Sequence, residues 1–92
     1  MVKVYFEYDM DDENYAIFVN NDGKEFLLDI VEFAKPGEDP KELTEKIVFE
    51  MNESLQNLGA SADDIEDICE FARILEKVYQ KLGIDRPYTS EI

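Results

Sequence analysis

The sequence predicts an α+β fold: a three-stranded antiparallel β-meander followed by a two-helix hairpin packed on one face, in the order β-β-β-α-α. Three observations carry this. The first part of the chain alternates apolar and polar residues, an Asn-Asp-Gly turn interrupts that alternation, and past a Pro- and Gly-containing break the apolar spacing becomes helical. With 92 residues, 45% of them hydrophobic, the chain is expected to form one domain with a core that needs neither metal nor disulfide.

The first strand covers residues 2–8, with Val2, Val4, Phe6 and Tyr8 on one side and Lys3, Tyr5 and Glu7 on the other. Asp9 to Asn14 is a polar connection without periodicity, and residues 15–20 alternate again through Tyr15, Ile17 and Val19. Asp22-Gly23 suits the two positive-φ positions of a type I′ turn. A two-residue loop there sets Val19 opposite Phe26, Ile17 opposite Leu28 and Tyr15 opposite Ile30, all on one face, in a hairpin running to about Phe33. A slip of one residue would scatter that set.

Residues 34–40 break the pattern. Asp39 reads as a helix N-cap, Pro40 as the first helical residue, and Glu42 as the completing residue of a capping box. The first helix is expected to run to about Leu58 on Leu43, Ile47, Val48, Met51, Leu55 and Leu58, with Gly59 as its stop. Ser61 then reads as the cap of a second helix with Asp64 at its third position. Its stripe is Ile65, Ile68, Cys69, Ala72, Leu75, Tyr79 and Leu82, widened by Phe71, Ile74 and Val78. Gly83 ends it, Ile84 folds back on it, and Pro87 prevents continuation. Residues 1–84 are thus expected to be a single domain and 85–92 a flexible tail.

Charge is the compositional outlier. Twenty-three Asp and Glu stand against nine Lys and Arg, a formal net charge of −14. Residues 1–70 carry −15 of it and residues 71–92 carry +1. Such self-repulsion lowers folded stability. It also disfavours nucleic acid and anionic membrane as direct partners, since both demand basic patches. A basic protein surface is the favoured partner, for example that of a nucleic-acid-binding effector or nuclease. No apolar run approaches the length of a membrane span, and the N-terminal residues lack the apolar stretch of an export signal. With a single cysteine, a cytoplasmic setting is expected.

Catalytic equipment is sparse. There is no histidine, which excludes Ser-His-Asp and Cys-His arrangements, and no glycine-rich phosphate loop. No enzymatic activity and no cofactor are expected. Asp9, Asp11 and Glu13 imitate the opening of a calcium loop, but Asn14 and Asn20 stand where that loop needs glycine and a bidentate Glu. Cys69, in the expected core stripe, reads as a small buried hydrophobe. Tyr5, Phe18 and Leu27 fall on the outer sheet face with Ala16, Val31 and Phe33, while Phe49 lies outside the helical stripe. A cluster of this kind is either a contact patch, including a dimer contact, or is covered by the C-terminal tail.

The acids themselves are the main functional signal. Asp9, Asp11, Asp12 and Glu13, with Glu7, crowd one strand connection. Asp63, Asp67 and Glu70 follow at four- and three-residue steps, which on one helix face would separate neighbouring side chains by about 5–6 Å. Rows on that scale imitate strand phosphates. Asp9, Asp11, Asp12, Glu13, Asp63, Asp67 and Glu70 are the candidate partner-binding set.

The stretch Val19-Asn20-Asn21-Asp22-Gly23-Lys24-Glu25, in an acidic chain of this size, resembles a hairpin found among small phage-encoded nucleic-acid-mimic inhibitors such as anti-CRISPR proteins. The resemblance implies a DNA-mimicking surface and carries over no particular inhibitory residue. The expected function is therefore non-enzymatic inhibition of a basic nucleic-acid-binding protein, of the anti-CRISPR or anti-restriction type. The alternatives are an immunity or antitoxin-like protein against a basic toxin, and a cation-binding or oligomeric module. The chain is expected as a monomer or a homodimer.

Overall fold

The computed structural model describes residues 2–32, 36–84 and 89–90. Strands β1 (Val2–Asp9), β2 (Asn14–Asn21) and β3 (Lys24–Val31) form the expected antiparallel meander, and helices α1 (Pro40–Leu58) and α2 (Ile68–Leu82) follow it. A short β4, Thr89–Ser90, lies antiparallel to β3 opposite Ile30 and Val31, extending the sheet to the order β1-β2-β3-β4. Those two residues come from the expected tail; the rest of 85–92, Pro87 included, and Phe33 to Lys35 lie outside the described residues.

Local chemistry places the element ends. Asp22 and Gly23 both take positive φ, 54° and 89°, and Gly23 N–H donates to the Asn20 side chain. Asp39 accepts from the Lys41 N–H at 3.1 Å ahead of Pro40. Gly83, at φ 71°, closes α2 with an Ile84 N–H bond to the Tyr79 carbonyl at 2.8 Å, and Ile84 packs back on the core.

The hairpin register departs from simple alternation. Val19 opposes Phe26 and Phe18 opposes Leu27, but Ile17 then meets Asp29, and Tyr15 meets Val31. One extra residue in β3 makes a β-bulge, so Leu28 and Asp29 together face Ile17. Leu28 stays against the core, Asp29 enters it, Val31 becomes fully buried, and Ile30 takes the outer position expected of Val31. The buried Asp29 carboxyl accepts from the Tyr79 hydroxyl at 2.9 Å and from the Ile30 N–H at 2.8 Å. Tyr79, itself buried, must find a partner for its hydroxyl, and the bulge delivers one.

The second helix starts later than expected. Gly59–Asp64 form a 3₁₀ helix without a side-chain cap, so Ser61 does not initiate α2. Ile65 is buried in extended conformation, and the Asn21 amide donates to its carbonyl at 2.8 Å. That anchor holds the chain extended until Asp67, whose carboxylate accepts from the Cys69 N–H at 2.9 Å and caps α2. The later start rotates the helix. Phe71, Leu75, Val78 and Tyr79 are buried, Ile74 and Leu82 half-buried, while Ile68, Cys69 and Ala72 are exposed.

Helix α1 lies over β1 and β2, and α2 over β3 and α1. Val4, Ile17, Val19, Ile47, Met51 and Phe71 fill the space between sheet and helices. Asn52 ties α1 to the outer strand: its Oδ1 accepts from the Val4 N–H, and its Nδ2 donates to the Val4 carbonyl, both at 2.9 Å. A side-chain amide thus stands in for a neighbouring strand at one position of the sheet edge.

Candidate functional site

The seven candidate acids are all exposed, and the fold divides them into two groups. Asp9, Asp11, Asp12 and Glu13 belong to the β1–β2 turn. Asp63, Asp67 and Glu70 belong to the crossover from the 3₁₀ helix into α2, which Asn21 pins beside the β2–β3 turn through the carbonyls of Asp63 and Ile65. The eight residues of β2, about 23 Å of strand, separate the two turns, which places the groups at opposite ends of the sheet.

At the first end the Asp9 carboxylate accepts from the N–H groups of Asp11 at 2.9 Å and Asp12 at 3.3 Å. Asp9 thereby shapes the turn, and Glu13 completes it at φ 52°. Asp11, Asp12 and Glu13 project into solvent, and among the described residues no three acid or cysteine side chains converge as metal ligands.

At the second end the expected helical row is not formed. Asp63 sits in the 3₁₀ helix, Asp67 is the cap, and Glu70 alone lies within α2. Tertiary structure substitutes other partners. Asp22 of the hairpin turn comes beside Asp63 and Glu66 around a shallow groove of about 150 Å³, lined also by Asn21, Lys24, Phe26 and Ile65. The Asp-Gly turn signal marks Asp22 as a turn residue, but nothing local places it next to Asp63, 41 positions away. Cys69, expected in the core, is exposed because of the later helix start.

The outer sheet face carries a third feature. Tyr5, Phe18 and Leu27 align across the three strands, with Tyr5 and Phe18 stacked at 5.4 Å, and Ala16 and Ile30 in the next row. The Tyr5 hydroxyl donates to the Glu25 carboxylate. That bond, reinforced by the Glu25 and Glu7 charges, pushes the Tyr5 pKa up from 10.0 to about 12. Glu25→Gln is therefore expected to lower the Tyr5 pKa toward 10.0, followed as phenolate absorbance during alkaline titration. The contact stabilises below pH 10, and its contribution disappears as pH climbs through about 12.

Comparison with protein-family models, curated proteins and solved structures finds no match to this chain.

Proposed function

We propose that this protein is a non-enzymatic inhibitor that occupies a basic, nucleic-acid-binding surface of a partner protein through its acidic face. One observation carries the proposal: among the described residues, much of the negative charge is displayed to solvent. Asp9, Asp11, Asp12, Glu13, Glu66 and Glu70 are exposed and form no ion pair with the described residues, where Lys81 with Glu50 at 2.7 Å is an ion pair made internally. The resemblance of the Val19–Glu25 hairpin to nucleic-acid-mimic inhibitors supports the same direction. The two acidic ends of the sheet replace the single helical row as the unit of recognition and would span a groove as separated anionic contacts. Action in the cytoplasm suits the exposed Cys69, since thiols stay reduced there.

The test uses two charge-reversed variants, one with Asp11, Asp12 and Glu13 changed to Lys and one with Asp63, Glu66 and Glu70 changed to Lys. Asp9 and Asp67 are kept because their carboxylates accept main-chain N–H groups that shape the turn and cap α2. Association with a nucleic-acid-binding protein from the native host should slow by about tenfold or more in either variant. It should also weaken with added salt, and nucleic acid should compete. Binding that is indifferent to salt, to competitor and to both reversals would exclude the proposal.

A further inference from the structure

Among the described residues, β1 is an edge strand of the sheet. The Val4 N–H and C=O point away from β2, because both bond the Asn52 side chain. In an antiparallel ladder this orientation recurs every second residue. Phe6, opposite Ile17, and Tyr8, opposite Tyr15, therefore also aim their N–H and C=O at the open edge. Asn52 satisfies Val4, while the Phe6 and Tyr8 main-chain groups have no hydrogen-bond partner on that side among the described residues.

The same edge is apolar above and acidic around. Helix α1 runs along it with its C-terminal turns beside Val2 and Lys3, where Asn52, Leu55, Gln56 and Gly59 line one groove with those residues. One turn back from Asn52 toward the N-terminus, on the same flank, is Phe49, an aromatic side chain 61% exposed. Tyr8, at 50%, is the exposed aromatic of the strand itself. Glu45 and Glu53 lie four residues either side of Phe49, and Glu7, Asp9, Asp11 and Asp12 occupy the strand and its turn.

We infer that the Phe6–Tyr8 edge of β1 takes an extended, basic segment of a partner polypeptide as an added strand. Main-chain bonds to Phe6 and Tyr8 set its register. Its apolar side chains fall on the inner side toward Phe6, Tyr8 and Phe49, and its lysines or arginines on the outer side beside Glu7 and Asp9. Charge selects this occupant over a second copy of the chain, because pairing β1 with itself would juxtapose Glu7 and Asp9 with their own equivalents between two molecules of net charge −14. The inference rests on the reading that the partner is basic, and it adds where and in what conformation one segment of it binds.

The test uses the full chain, isotopically labelled, and a synthetic peptide of about six residues alternating valine and lysine. Hydrogen exchange at the Phe6 and Tyr8 amides should slow by about tenfold or more on saturation. The same peptide N-methylated on the edge-facing nitrogens keeps its charge and should give no protection. Equal protection by the methylated peptide, or shifts confined to the Asp9–Glu13 turn, overturns the added strand while leaving acidic-face binding intact. Equal protection by a valine–threonine peptide overturns the basic partner instead. Protection without peptide, together with a dimer in sedimentation, assigns the edge to a second copy and overturns the inference.

Discussion

Replacing Tyr79 with alanine is expected to give the largest loss of stability of any change considered, a large share of what holds the domain folded. Truncating a buried aromatic costs about 3–5 kcal/mol in lost burial and cavity formation. The Asp29 carboxyl would in addition lose the hydroxyl that donates to it at 2.9 Å, and a buried polar group left short of a partner costs about 1–3 kcal/mol more. A domain of this size holds only about 5–15 kcal/mol in total. Tyr79→Phe separates the two effects, since the ring stays and the hydroxyl goes; about 1–3 kcal/mol is expected, read as a lower denaturant midpoint. Pairing it with Asp29→Leu should show coupling of about 0.5–3 kcal/mol. Strict additivity would mean that the hydroxyl and the carboxyl do not depend on each other, and that the bulge has another cause.

Phe71→Ala comes next, at about 3–5 kcal/mol, because Phe71 is wholly buried between α2 and the rest of the core. The informative control is two residues earlier. Cys69→Ser should change stability by no more than about 0.5 kcal/mol, since that side chain is exposed. If α2 began near Ser61 with Cys69 in its buried stripe, the cysteine change would cost stability as well. Denaturant midpoints of the two variants therefore test where the helix is phased, and the Cys69 thiol should react freely with a maleimide in the folded protein.

These two variants mark the boundary between what adjacent residues encode and what they do not. The hairpin turn at Asp22-Gly23, the Asp39-Pro40 helix start, the stop at Gly59 and the closure at Gly83 were all legible, because each depends on backbone preferences and hydrogen bonds within a few positions. The meander and the helical pair followed from period-two and helical apolar spacing, which are likewise local. The start of α2 is not legible locally, because Ser61 and Asp67 are equally good caps in isolation. What separates them is Asn21, whose amide reaches the Ile65 carbonyl from 44 positions away and holds the chain extended at Ile65, between the 3₁₀ helix and the cap at Asp67.

The candidate site divides along the same line. That the chain is acidic, and that Asp9 to Glu13 crowd one connection, is written in the sequence. That Asp63, Asp67 and Glu70 form no helical row, that Asp22 and Glu66 join Asp63, and that the two groups stand at opposite sheet ends depends on the crossover being pinned to the hairpin. By itself the sequence determined the α+β class, the order of elements, nearly every turn and cap, and the size of the negative charge. Only the tertiary structure decided the bulge that carries Asp29 inward to Tyr79, the rotation of α2, and which acids are neighbours. The reason is physical: polar groups buried away from water require hydrogen-bond partners, the Tyr79 hydroxyl finds one in a carboxyl 50 residues away, and no local pattern records that meeting.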